Sequence, residues 1–137
     1  GQIKEEVIDK MQQIMINYLN DKEKLASWFG SYITDPKVSL NMPPEETIED
    51  TKTLAVMLNS GAVLVGMEGV KISYIESPVA SLFVEGYELP LESKDVELAK
   101  FLANEKMFSA ADLNRFDEES IDSIVLDLYN RGYLYAE

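Results

Sequence analysis

Two successive stretches at the start of the chain each gather apolar residues on one helical face, and this limits every fold open to it. Val7, Met11, Ile14 and Tyr18 step by four, three and four, and Ile8, Met15 and Leu19 widen the stripe, which is the spacing of an amphipathic helix. Lys4, Glu5, Asp9, Lys10, Gln12, Gln13 and Asn17 fill the other side. A second helix is predicted from Asn20, a capping residue with Glu23 at the capping-box position. Its apolar face is Leu25, Trp28, Phe29, Tyr32 and Ile33, and Asp35-Pro36 ends it. Gly30 inside it costs ~1 kcal/mol relative to Ala and permits close packing at that point. Two such helices, about 35 residues together, cannot build a core alone. They must dock on the rest of the chain or on another subunit. Val7, Met11, Ile14, Tyr18, Trp28, Phe29 and Ile33 are therefore candidates for either a core or a dimer interface, and the aromatics and Met11, Met15 and Met42 suit both.

The remainder reads as a small α+β unit. Pro36, Pro43 and Pro44 make residues 35–46 an extended connector. Thr47 is predicted to cap a helix through Asn59, stopped by Ser60-Gly61. Residues 62–65 and 70–75 flank Met67-Glu68-Gly69 and are expected to pair as a hairpin. A third strand is expected at Ser81-Leu82-Phe83-Val84, ending near Gly86. Ser93 is expected to cap a helix carrying Val96, Leu98, Phe101 and Leu102. Ser109 caps a short helix from Ala110 to Arg115, and Asp117 a longer one with Ile121, Ile124, Val125 and Leu128 inward, ending at Gly132. Tyr133-Leu134-Tyr135 then forms a short strand, with one tyrosine packed in the core. Two helices joined by a tight turn at Phe116-Asp117, beside a small sheet, amount to a helix-turn-helix in a winged-helix-like domain. The expected fold is thus α+β: an amino-terminal amphipathic helical hairpin with its connector at residues 1–42, then a winged-helix-like domain with a small antiparallel sheet at 43–137.

Composition excludes several chemistries. There is no His and no Cys, so a Ser-His dyad, a Cys nucleophile, a disulfide, a thiolate zinc site and a two-His-one-carboxylate iron site are all absent by inventory. Catalytic and metal-binding residues are expected to be none. Lack of Cys fits a cytoplasmic location, which is the expectation adopted. No apolar run approaches the ~20 residues of a spanning helix. The opening Gly1-Gln2-Ile3 is unlike a signal peptide and more like the scar of a tag, so the chain is expected to be cut from something longer. Twenty-five acidic residues against twelve basic ones give a net charge of −13. Such a surface repels nucleic acid and anionic membrane and leaves basic proteins as partners, although acidity also simply keeps a chain soluble.

The same charge bears on the helix-turn-helix. Its second helix offers Glu118, Glu119, Asp122 and Asp127, with Arg131 as its only base, whereas a DNA-reading helix needs Arg, Lys, Asn or Gln. The acidic groups Glu45-Glu46, Glu49-Asp50 and Asp117-Glu118-Glu119 lack the alternation and central Gly of a calcium loop, and they sit at predicted helix starts, where the helix dipole favours them. The glycines form no phosphate-binding loop.

The run Lys24-Leu25-Ala26-Ser27-Trp28-Phe29-Gly30, then Tyr32-Ile33, Met42-Pro43-Pro44-Glu45 and the stretch from Gly61 to Val65, resembles bacterial ribosomal-protein arginine hydroxylases. The closing Asn130-Arg131-Gly132-Tyr133-Leu134-Tyr135 resembles that family's asparagine-x-glycine-tyrosine-aromatic-aromatic ending, with Leu134 in place of one aromatic. Those proteins are JmjC-type, cupin-fold oxygenases that use Fe(II) and 2-oxoglutarate. The resemblance implies that the catalytic β-helix and its two-His-one-Asp iron site lie upstream. The present residues would then be the helical dimerisation region and the C-terminal winged helix, which in that family is acidic and not a DNA binder. No cofactor is expected in this chain, Fe(II) and 2-oxoglutarate belonging to the implied parent. A homodimer is expected, with a basic ribosomal protein as substrate partner. The competing reading is a free-standing acidic winged-helix adaptor that binds another protein and has no oxygenase.

Overall fold

The computed structural model describes residues 1–137. Helix α1 runs Glu5–Asn20 and α2 runs Lys22–Thr34. The cap of α2 is Asp21, one residue later than expected, and its carboxylate accepts from Lys24 N at 3.2 Å. The connector is extended as expected, but α3 covers only Thr51–Asn59, because Asp50 rather than Thr47 supplies the capping oxygen, 2.7 Å from Thr53 N. Gly61 follows at φ +105°.

The strands form two three-stranded antiparallel sheets. In one, β1 (Leu64–Gly66) lies between β5 (Met107–Phe108) and β6 (Leu134–Ala136); in the other, β3 (Ser81–Val84) lies between β2 (Ile72–Ile75) and β4 (Tyr87–Pro90). The expected hairpin of the segments around Met67-Glu68-Gly69 is therefore not formed. Val70 N does bond to Met67 O and Gly69 has φ +82°, so the chain turns there. It turns out of one sheet and into the other, and β1 finds both its partners far along the chain. Strand β4 is not among the strands expected from the sequence. β3 ends near Gly86 as expected, and Glu85 and Gly86 form a two-residue turn with φ of 48° and 83° between the paired Val84 and Tyr87, the primed geometry that matches strand twist.

After a short 3₁₀ turn at Ser93–Asp95, α4 spans Val96–Asn104. Its entry is capped by Glu92 and Asp95 together and not by Ser93. Ser109 caps α5 (Ala110–Leu113) with Asp112 closing the box. Asp117 caps α6 (Glu118–Ser120), which passes through a π-helical turn at Ile121–Val125 into α7 (Leu126–Arg131), and Gly132 ends it at φ 85°. The core gathers Leu54 and Leu58 of α3, Leu98 and Leu102 of α4, Phe108, Leu113, Ile124, Val125, Leu128 and Leu134 around the first sheet. Tyr133 is buried and Tyr135 exposed, but Tyr133 precedes β6, and the strand's inward residue is Leu134.

β3 joins this core to α2. Leu82 and Val84 point into the main core while Phe83, on the opposite face by strand alternation, meets α2. All four residues of β3 are buried, because helices cover both faces of its sheet.

Candidate interaction surface

α2 packs on the sheet with its small-residue face, at the point where Gly30 is expected to permit close packing. Gly30 lies directly on the Phe83 ring, where a Cβ would come within 2.6 Å of Cε1. Ser27 Oγ donates to Glu88 Oε2 at 2.9 Å. The buried Thr34 hydroxyl donates to Gly30 O at 2.8 Å and accepts from Gly86 N at 3.0 Å, pinning the helix end to the β3–β4 turn. Small residues at 27, 30 and 34 make this inner seam. The apolar face, a candidate for either core or interface, is turned outward, because α2 approaches the sheet closely through Gly30.

Trp28 and Phe29 are each 53% exposed, and Tyr32 and Ile33 are also open to solvent. Trp28 stacks on Tyr32 with ring centroids 5.3 Å apart and meets Phe29 at 6.5 Å. α1 buries none of its residues. Val7, Met11, Ile14 and Tyr18 all lie exposed, as do Ile8, Met15 and Leu19. Within one chain, none of the seven candidate residues belongs to a core. They stand together on the uncovered faces of two adjoining helices, an apolar expanse of the kind that marks association surfaces.

The connector ties this hairpin to the rest of the fold. Glu85 carboxylate oxygens accept from Leu40 N at 2.7 Å and Ser39 Oγ at 3.0 Å. Asn41 Nδ2 donates to Arg131 O at 2.7 Å and Met42 N to Gly132 O at 2.9 Å. Asn130 grips Ile48 from both sides, accepting from its N–H and donating to its carbonyl, each at 2.8 Å. The closing Asn-Arg-Gly motif thus acts as a backbone clamp, a role that could be found only once residues 41–48 were seen beside it.

The second helix of the helix-turn-helix presents Glu118, Glu119, Asp122 and Asp127. Arg131 is engaged with Asp127 at 3.0 Å and over the Tyr87 ring at 4.0 Å. Of the acidic groups, Asp50 and Asp117 are helix caps, while Glu45, Glu46 and Glu49 are exposed. Lys94, paired with Glu119 and Glu92, and Lys100, paired with Glu76 and Glu97, are held above the usual lysine pKa by those carboxylates. Burial raises the Tyr133 phenol, with nearby Glu85 adding to it. No three potential ligand side chains converge on one point. With neither His nor Cys in the chain, its residues do not fit the iron site of a 2-oxoglutarate oxygenase. No helix is long and apolar enough to cross a membrane.

Comparison with known proteins places these features in context. The sequence profile described as ROXA-like winged helix matches residues 15–135. The ribosomal protein uL16 3-hydroxylase of Escherichia coli K12 is 24% identical over 131 residues, covering 95% of this chain and 34% of the relative. An X-ray structure of E. coli ycfD matches with a TM-score of 0.73 at 21% identity, covering all of this chain and 36% of that one. A structure of the same ribosomal oxygenase in complex with cobalt and succinic acid gives 0.74 at 22% identity, over 37% of its length. The chain therefore spans about a third of the length of these relatives.

Proposed function

The chain belongs to the ROXA-like winged helix family, and from that premise we propose that it is the non-catalytic dimerisation and protein-docking module of a JmjC-type, 2-oxoglutarate-dependent ribosomal-protein hydroxylase. In this reading residues 1–42 carry the self-association surface and residues 43–137 form the winged-helix domain, with Fe(II) and 2-oxoglutarate held by the parent enzyme. The names of the relatives support the parent: one is a ribosomal protein 3-hydroxylase, and ycfD has been solved with cobalt and 2-oxoglutarate. The acidic winged helix would dock a basic ribosomal protein, and its charge argues against nucleic acid and anionic membrane as partners.

The observation that carries the dimerisation half is the uncovered stripe on α1 and α2. Burying a Trp or Phe side chain is worth roughly 1.5–3 kcal/mol, so several such residues left in water call for a partner surface. A second copy offers the same stripe, the self-complementary contact of a two-fold dimer. Trp28 is the only tryptophan in the chain, so it reports directly. Its emission should shift to the blue and its quenching by acrylamide should fall as protein concentration rises. An emission spectrum and quenching constant unchanged from nanomolar to millimolar protein would contradict the reading.

A further inference from the structure

α3 and the start of the long carboxy-terminal helix part around an apolar groove of about 300 Å³, floored by Leu54, Leu58, Leu113 and Ile121 and walled by Ala55 and Phe116. The groove opens past Thr51, Lys52 and Glu118, and these same three residues line a second depression that holds no hydrophobic side chain. There Asp50, Glu118, Glu119 and Asp122 gather around Lys52, with Glu119 also paired to Lys94. An apolar slot thus runs directly into a strongly negative mouth. The π-helical turn begins at Ile121 on the floor, with Asp122 at the mouth as its next residue.

We propose that this groove is the docking site for a basic protein segment, which seats one large aliphatic side chain between α3 and α5 and lays arginine or lysine side chains across the acidic mouth. The apolar slot supplies burial. Its apolar wall lowers the local dielectric and so strengthens the attraction between the flanking charges. A second copy of this chain, at net charge −13, and any polyanion are both repelled from the mouth. The groove lies on α3, α5 and α6, whereas the apolar stripe lies on α1 and α2, so the two surfaces belong to different parts of the chain. The inference deepens the docking half of the proposed function and rests on it; it is independent of the dimerisation half.

The test is an NMR titration of the ¹⁵N-labelled chain with the pentapeptide Arg-Arg-Leu-Arg-Arg and its serine counterpart, Arg-Arg-Ser-Arg-Arg. The leucine peptide should move the amides of Ala55, Leu113, Phe116 and Glu118 as one group, and exchange of its leucine for serine should weaken binding at least about fivefold. Ala55→Arg, which fills the slot and adds a like charge, should weaken it at least about tenfold. Lys52→Glu, which replaces the cation lining the mouth with an anion, should tighten it about threefold. Both positions are exposed, and unchanged amide shifts in β1, β3 and β6 verify the fold of each variant. Binding that is indifferent to Ala55→Arg and to the loss of leucine overturns the groove while leaving acidic docking in place. No binding of either peptide at millimolar concentration overturns both.

Discussion

Gly30 of α2 rests on the face of the buried Phe83 ring of β3, at a separation that leaves no room for a methyl group. This contact decides which side of α2 is inside. Glycine brings the helix axis close to the sheet, Ser27 and Thr34 hydrogen-bond to Glu88 and Gly86 on either side, and the aromatic side of the helix is left facing outward.

Gly30→Ala should therefore destabilise the fold although alanine is the better helix former. The propensity gain is ~1 kcal/mol, but the methyl would strike a ring that has no free side to move toward. A net loss of about 1–3 kcal/mol is expected from overpacking, read as a lowered urea midpoint with an unchanged slope. Adding Phe83→Leu should recover part of that loss, which a double-mutant cycle would measure as coupling between the two positions.

Asn130→Ala should loosen the connector. Both the N–H and the carbonyl of Ile48 lose their partner, at a cost of about 1–3 kcal/mol when such groups are left unmatched. Amide exchange at Ile48 should accelerate well before exchange in β1 or β3. Asn130→Asp keeps the acceptor for Ile48 N but sets a carboxylate against its carbonyl, so it should behave almost as poorly as alanine.

Acid should melt the caps of α3 and α5 first. The Asp50 carboxyl is held below its ordinary value of 3.8 chiefly by the Thr53 amide, and Asp112 is held below 3.8 chiefly by the Ser109 amide. A carboxyl whose pKa falls on folding adds stability that is complete above its unfolded pKa and is lost as pH drops through the folded one. The contribution should be intact at pH 5 and above and disappear below pH 3.8. Asparagine also caps helices but does not titrate, so Asp50→Asn with Asp112→Asn should change neutral stability little and flatten the acid limb of a pH–stability profile.

Much of the fold could be read from the chain because its punctuation is local. Asp117, Ser109, Gly61 and Gly132 stop or start helices by the conformations and oxygens they supply, whatever lies around them. Pairing is not local. The turn at Met67-Glu68-Gly69 looks the same whether its flanking strands pair or enter separate sheets, and β1 is partnered by Phe108 and Tyr135, each more than forty positions away. The inner face of α2 is undecided by sequence for a different reason. Apolar spacing is the same for a core and for an interface, whereas the small residues at 27, 30 and 34 carry the close packing. The candidate residues can be named from the chain, but which side of the hairpin stays open is visible only with Phe83 in place.

The central claim is that the open stripe on α1 and α2 is covered by a second copy. Sedimentation equilibrium of the wild-type chain and of Trp28→Ala with Phe29→Ala tests it most directly, and because both rings are half exposed the double variant should keep its fold and its circular dichroism. The wild type should approach twice the mass of one chain at tens of micromolar, and the variant should need at least about thirtyfold more protein to do so, the equivalent of ~2 kcal/mol. A wild type that remains monomeric at millimolar concentration, or a dimer equally strong without the two rings, would contradict the account.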